Sequence, residues 1–278
     1  MDMTLNQDAV AEIWRPVVLT FESACSFDNP FLDVEIWAEF TGSSGRVIRR
    51  EAYWDGGRTY CVSFAPTELG AWNYVIEAPE QTGLNGCTGR VEAVPYAGDL
   101  DLYRHGFIRV ADDSRMFAYS DGTPFFWLGD THWEFAYRES WDASNHPGMT
   151  SQFRGMVDLR AEQGFTVYQT NLRSDMGARD RYWIDGGMAK GAEDLPNVAF
   201  YQQELDRRMA YIADAGLVNA LGQAWAFSIR GEHGVEHQKH LARYLVARYG
   251  AYPMVWTLAG EVAGYGKEDR GALIDGWR

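Results

Sequence analysis

The stretch FYQQELDRRMAYIADAGLVNALGQAW (residues 200–225) contains a helix signal, a turn and a strand signal in direct succession. Apolar residues recur at helical spacing at Leu205, Met209 and Ile212, and Gly216 is a typical helix terminator. The apolar run that follows is short enough for a buried strand. This succession predicts a helix that returns directly into a strand, which is the repeating unit of an α/β fold.

The same succession continues on both sides of this stretch. Strands are predicted at 125–130, 165–172, 217–225 and 254–261, and helices at 148–164, 200–216 and 235–250. Because such short apolar strands do not face water, right-handed crossovers and a parallel sheet are expected. No strand leads into a GxGxxG or GxxxxGK[ST] loop. We therefore favour a (β/α)₈ barrel over its rival, an open nucleotide-binding sheet.

The region before about Gly98 has a different period. Short runs that alternate apolar and polar residues lie at 34–40, 46–54, 59–66, 71–79 and 89–95, separated by turn clusters such as GSSG, DGG and NGCTG. This pattern is typical of an antiparallel β-sandwich. The sequence therefore predicts a multidomain β plus α/β chain, with a sandwich at 8–97 and the first half of a (β/α)₈ barrel at 103–278.

The composition excludes some classes of partner. A formal net charge of −14 argues against nucleic acid, because nucleic-acid-binding proteins concentrate Lys and Arg on one face. The 11 Trp and 15 Tyr suit sugar stacking, and they equally suit a sandwich core. No window approaches the roughly 18 apolar residues of a membrane span.

The N-terminus and the cysteines bear on location. The opening MDMTLNQDAVAEIWRP lacks the basic start and apolar stretch of a secretory signal. Cys25, Cys61 and Cys87 show no CxxC spacing, which fits reduced thiols in a cytoplasmic protein, although one disulfide stays open. We expect a cytoplasmic protein.

Polar residues gather where the predicted parallel strands end, which is where barrels and open α/β sheets build their sites. Glu261 ends an apolar strand and is the candidate catalytic acid, with helix capping or pairing with an arginine as the alternative. The candidate substrate-binding residues are Asp130, His132, Trp133, Asn171, Arg173, Gln223 and Trp225.

A zinc site is the competing chemistry. HGVEH at 233–237 has the H-x-x-E-H pattern of inverted zinc peptidases. However, Gly234 interrupts it, and no third ligand is evident, so we expect neither a metal nor another cofactor.

Several motifs resemble one known family in their order along the chain. GTPFFWLGDTHWE at 122–134 resembles the opening strand of the apiosidase-like glycoside hydrolase domain, formerly DUF4038. The family's later motifs are matched by EQGFTVYQTNL, IADAGLVNALGQAW, ARYLVARYGAYP and VWTLAGE. The preceding region, with TELGAWNYVIEAP at 67–79, is similar to the DUF5060 β-sandwich.

The resemblance implies a retaining glycosidase with a carbohydrate substrate. In that group the acid/base ends strand four and the nucleophile ends strand seven, so Glu261 matches the acid/base and the nucleophile is expected beyond Arg278. The family often has Asp at the place of Glu261, and related barrels have Asn where this chain has Gly260.

Only four of eight barrel strands are predicted, and a full barrel takes about 250 residues. Two hypotheses follow: a glycosidase whose barrel is completed by a further C-terminal segment or a second chain, this chain alone being inactive, or a non-catalytic carbohydrate-binding or structural fragment.

Overall fold

The computed structural model describes residues 8–113, 115–133, 135–136, 139–144, 146–149, 151–172, 183–184, 195–225 and 234–260. The chain divides into two compact units. Unit 1 comprises Met1–Pro124 and Tyr244–Tyr252, and unit 2 comprises Phe125–Arg243 and Pro253–Arg278.

Unit 1 is rich in β-strands, as the alternating pattern predicts. Its strands are β1 Ala9–Glu12, β2 Val17–Glu22, β3 Trp37–Thr41, β4 Val47–Glu51, β5 Tyr53–Trp54, β6 Thr59–Phe64, β7 Gly70–Glu77, β8 Thr88–Val94, β9 Ile108–Val110, β10 Phe117–Tyr119 and β11 Pro124–Phe125, whose last residue is in unit 2. The sheets run β1-β8-β7-β3-β4, β2-β6-β5 and β11-β10-β9. A 3₁₀ turn, Glu80–Thr82, and a short helix, α1 Asp101–Arg104, complete it.

The five-stranded sheet of unit 1 and the sheet β2-β6-β5 pack through aromatic side chains. Phe40 of β3 stacks on Phe64 of β6 with ring centroids 3.9 Å apart, and Trp72 of β7 meets Phe64 edge-on at 5.3 Å. All three side chains are fully buried. The alternation in the sequence therefore reflects sheet faces turned toward a shared core. The β1–β8 pair is parallel, whereas an antiparallel sandwich was predicted.

Unit 2 contains a four-stranded parallel sheet flanked by helices. Its strands are β12 Gly129–His132, β13 Val167–Asn171, β14 Trp183–Ile184, β15 Leu195–Pro196, β16 Val218–Trp225 and β17 Met254–Gly260. The parallel sheet runs β12-β13-β16-β17, and β14 pairs with β15. The described residues form this open sheet and no closed barrel. The predicted α/β part is thus confirmed as a parallel sheet with helices.

Helices follow the strands of unit 2. They are α2 Gln152–Glu162, α3 Asp206–Asp214 and α4 Gly234–Tyr249, whose residues from Tyr244 onward belong to unit 1. Helix α3 continues from Val198–Phe200 and a π-helical Tyr201–Leu205. Ser151 caps α2 by accepting the Arg154 N–H at 3.2 Å. Gly164 and Gly216 have positive φ angles of 77° and 79° just past α2 and α3. These glycines reverse the chain into the next strand, as the sequence predicts.

The predicted strand at 125–130 is shorter than expected. Only Gly129–His132 pairs with β13, whereas Phe126, Trp127 and Leu128 are exposed by 75%, 38% and 37%. Thr166 fixes this segment, because its hydroxyl accepts the Leu128 N–H at 2.9 Å and donates to the Phe126 carbonyl at 2.6 Å. The apolar run therefore includes a lead-in to the strand that the apolar pattern could not separate from it.

Candidate active site

The register of the parallel sheet brings the ends of its strands to one edge. His132 pairs with Thr170 and Asn171 pairs with Gly222. Gly222 pairs with Thr257, three residues before Gly260. The carboxyl ends of parallel strands are where α/β folds place ligand sites. This edge is the candidate site.

Asp130 faces α2. Its carboxylate accepts a hydrogen bond from Arg160 Nε at 2.5 Å and one from the Thr131 N–H at 2.8 Å. Burial opposes ionisation, but the hydrogen bond from Arg160, the Thr131 N–H and the nearby positive charge outweigh it and lower the pKa of Asp130. Asp130 is therefore an ionised anchor between β12 and α2.

His132 also faces the helices, where it joins a buried group that we call the His132 network: His132, Glu139 and Tyr168. His132 Nε2 lies 2.5 Å from Glu139 Oε1, and His132 Nδ1 is hydrogen-bonded to the Tyr168 hydroxyl. The His132 ring lies nearly parallel to the ring of Phe153 in α2, with the ring centroids 6.4 Å apart. Burial, with the nearby carboxylates of Glu139 and Asp130, raises the pKa of Tyr168 far above its usual value.

Arg208 of α3 holds the loop that follows β12. Its fully buried guanidinium donates to the Phe135 carbonyl at 2.8 Å and to the Glu139 carbonyl at 2.7 Å. It also bonds the Glu204 carbonyl at 3.0 Å and the Glu204 carboxylate. Burial lowers the pKa of Arg208, and the Glu204 carboxylate opposes that change. The loop is therefore tied to the helix layer by a compensated buried charge.

The opposite face of the sheet carries a second set of polar side chains. Thr131 Oγ1 lies 3.4 Å from Gln169 Oε1, and Asn171 is buried against Gly222. A Cβ added to Gly222 would lie 3.3 Å from Asn171 Cγ and 3.2 Å from the Thr170 carbonyl oxygen, so glycine leaves room for the asparagine.

The predicted site residues therefore do not converge on one surface. Asp130 and His132 engage α2 and the His132 network, whereas Asn171 lies on the other face. Trp133 is half-buried directly after β12. For Gln223 and Trp225 the structure gives the place in β16 alone, with Trp225 paired to Gly260. Arg173 and Glu261 lie outside the described residues.

Four residues of this edge were missing from the sequence-based candidates: Glu139, Tyr168 and Arg208 on the helix side and Gln169 on the other face. Glu139 and Arg208 read as ordinary surface positions, since nothing local signals that they are buried. Gln169 could have been found, because strand alternation places it with Asn171.

The zinc hypothesis finds no support in the part of the chain described. No group of three or more His, Cys, Asp or Glu there could hold a metal ion. Of HGVEH, His233 lies outside the described residues, and the others are described as helix backbone alone.

No helix among the described residues is both long and apolar enough to cross a bilayer. All three cysteines lie in the described part, and each is a free thiol.

A parallel α/β sheet with polar strand ends, following a β-rich unit, defines a class of protein that includes barrel hydrolases. Residues 111–277 match the family model described as "Apiosidase-like, catalytic domain", and residues 10–79 match "Domain of unknown function (DUF5060)". The chain belongs to the apiosidase-like family. This membership confirms the resemblance seen in the sequence.

One similar solved structure is that of a candidate glycoside hydrolase from Bacteroides vulgatus ATCC 8482. It is 22% identical, with a TM-score of 0.67 over 97% of this chain. The chain spans 53% of the length of that structure. This likeness supports the fold. No match is found among the curated proteins.

Proposed function

We propose that this chain forms the catalytic part of a retaining glycoside hydrolase that acts on a plant or microbial glycan. The observation that carries the proposal is the match of residues 111–277 to the apiosidase-like catalytic domain. The parallel sheet β12-β13-β16-β17 supports it, because barrel glycosidases build their sites at such a carboxyl edge. On this proposal the four strands are the first half of a (β/α)₈ barrel.

Glu261 is the proposed general acid/base. It directly follows Gly260, the last residue of β17, and lies four positions after Thr257, the partner of Gly222. Strand alternation would assign Glu261 to the face that carries Asn171. In a retaining mechanism this carboxyl protonates the leaving oxygen and then activates water, while a second carboxylate attacks the anomeric carbon.

The substrate-binding roles divide by face. We propose that Asn171 and Gln169 bind sugar hydroxyls and that Trp133 supplies a ring surface, with Arg173 contributing at the same edge. Strand alternation assigns Gln223 and Trp225 to the face of Leu221, so we propose that they bind substrate from beyond the strand end. Direct contact of Asp130 and His132 with a sugar stays a prediction. Their hydrogen bonds to Arg160 and Glu139 support the proposal that they act beneath the site.

Hydrolysis of a panel of aryl glycosides tests this function. The full reading frame that contains this chain should release the aryl group, and Glu261→Gln should sharply reduce the release of poor leaving groups, which need a proton from the acid. Glu162→Gln, an exposed glutamate at the end of α2, is the matched control and should retain full activity. Undiminished activity in Glu261→Gln would refute the assignment.

A second candidate follows from the exposed Phe126, Trp127 and Leu128 beside β12. Exposed apolar side chains beside a sheet edge are an aggregation hazard unless another element covers them. We propose that a further segment of the same polypeptide pairs with β12, so that this chain alone would be a non-catalytic, carbohydrate-binding part. Light scattering separates the cases, because a stable, active monomer of 31.4 kDa would contradict the need for a further segment.

A further inference from the structure

The His132 network is a continuous set of hydrogen bonds at the end of β12. Glu139 follows His132 by seven residues, and its Oε1 lies 2.5 Å from His132 Nε2. The hydroxyl of Tyr168, in β13, is hydrogen-bonded to His132 Nδ1. The His132 and Glu139 side chains are exposed by 11% and 6%, and Tyr168 is fully buried. Both imidazole nitrogens are therefore occupied inside the protein.

The partners of His132 determine where its protons lie. Because burial raises the pKa of Tyr168, its hydroxyl keeps its proton and donates to Nδ1. A neutral imidazole then carries its proton on Nε2 and donates it to the Glu139 carboxylate. The hydrogen bonds run in one direction, from Tyr168 through His132 to Glu139.

The His132 network contributes little net stability, because burying its polar groups costs free energy. Glu139 Oε2 is buried and has no hydrogen-bond partner among the described residues. A buried carboxylate with an unsatisfied oxygen is costly, so the network is a weak source of stability. The hydrogen bonds that the network does make still favour one arrangement of the chain around it. Arg208 holds the same loop by the carbonyls of Phe135 and Glu139.

We propose that the His132 network is a positioning device that holds the loop after β12 in one conformation and thereby sets the place of Trp133 in the sugar site. The inference rests on the proposed function for the role of Trp133. His132, Glu139 and Tyr168 are positioning residues, since they act through the loop. Their hydrogen bonds explain why the side chain of His132, at the end of β12, faces the helices.

The first test measures which imidazole nitrogen of His132 carries the proton. Nitrogen-15 NMR of the histidine rings, with the His132 signal assigned by His132→Gln, should show a single tautomer protonated on Nε2 in the full chain. Glu139→Gln should mix or reverse the tautomers. A wild-type His132 that exchanges freely between tautomers would overturn the proposal.

The second test reads the loop. Hydrogen exchange of the amides of residues 133–140 should speed up about 10-fold to 100-fold in Glu139→Gln and in Tyr168→Phe, because each removes one hydrogen bond of the network. Tyr211→Phe is the matched control. Its hydroxyl donates to Asp158 Oδ1 at 2.6 Å, away from β12, so the same loop should keep its protection. Unchanged exchange in both network variants, or equal acceleration in the control, would refute the positioning role.

The third readout separates this inference from the proposed function. In an active enzyme, Glu139→Gln should raise KM about tenfold and change kcat less than threefold, since a ring surface binds substrate and transition state alike. An inactive wild type with an ordered His132 would reject the glycosidase proposal and leave the network standing. An active wild type whose kinetics and loop exchange both ignore Glu139→Gln would reject the network.

Discussion

Replacing the fully buried Arg208 with methionine should destabilise unit 2 by several kcal/mol. The methionine keeps much of the side-chain volume but removes the bonds to the carbonyls of Phe135 and Glu139 and to Glu204. Two loop carbonyls would lose their charged donor, and Glu204 would lose its cation. Leaving the two buried carbonyls without a donor costs about 1–3 kcal/mol each, whereas Glu204, whose side chain is 35% exposed, adds little because it stays partly hydrated.

Urea unfolding with linear extrapolation measures this loss, and a melting curve should shift down by about 10 °C for a unit of this size. Arg207→Met is the matched control one residue away. The Arg207 side chain is 42% exposed, and its guanidinium lies 4.2 Å from the centroid of the Trp141 ring. Arg207→Met should therefore lower the free energy of unfolding by no more than about 1 kcal/mol. A loss for Arg208→Met no larger than that of Arg207→Met would refute the view that this guanidinium holds the loop.

Three further outcomes are expected. Wild type should be more stable than Asp130→Asn at pH 7, and this difference should vanish as the pH falls through the lowered pKa of Asp130, because protonation ends the ion pair with Arg160. Unfolding midpoints measured over a pH series check this. A stability difference that does not change with pH would contradict it. Thiol titration of the native protein should show fast reaction at half-buried Cys25 and none at Cys61, because burial raises the pKa of Cys61 to about 11. All three thiols should react after denaturation. Fewer than three reacting thiols would reveal a disulfide. Gly222→Ala should cost about 1–3 kcal/mol in urea unfolding, since its Cβ would lie 3.2 Å from the Thr170 carbonyl oxygen and the neighbouring backbone would have to shift. A neutral effect would show that the neighbouring strand shifts freely.

The sequence predicts the fold well where periodicity has one physical cause. The helical spacing of Leu205, Met209 and Ile212 and the glycine after α3 recur in the structure, because one apolar face must be buried and one residue must adopt positive φ. The run at 125–130 was less informative. Phe126–Leu128 is as apolar as a buried strand, yet its hydrogen bonds go to Thr166 and its side chains face water.

The site is harder to predict because strand register and sheet face are tertiary properties. Asp130 and His132 stand at the end of a strand, but Arg160 and Glu139, which attract them to the helix side, are distant or unremarkable in sequence. Asn171 is placed by the gap at Gly222, which pairs with it only once the register is set. A one-residue slip would exchange the two faces.

If Glu261 is the acid/base of a retaining glycosidase, the effect of removing it must depend on the leaving group of the substrate. kcat/KM should be compared for wild type and Glu261→Gln on aryl glycosides with poor and with activated leaving groups, using the full reading frame. We expect a loss of about 100-fold or more on the poor leaving group, which needs a proton, and a much smaller loss on the activated one, which does not. Equal losses on both substrates, or no loss on either, would contradict it.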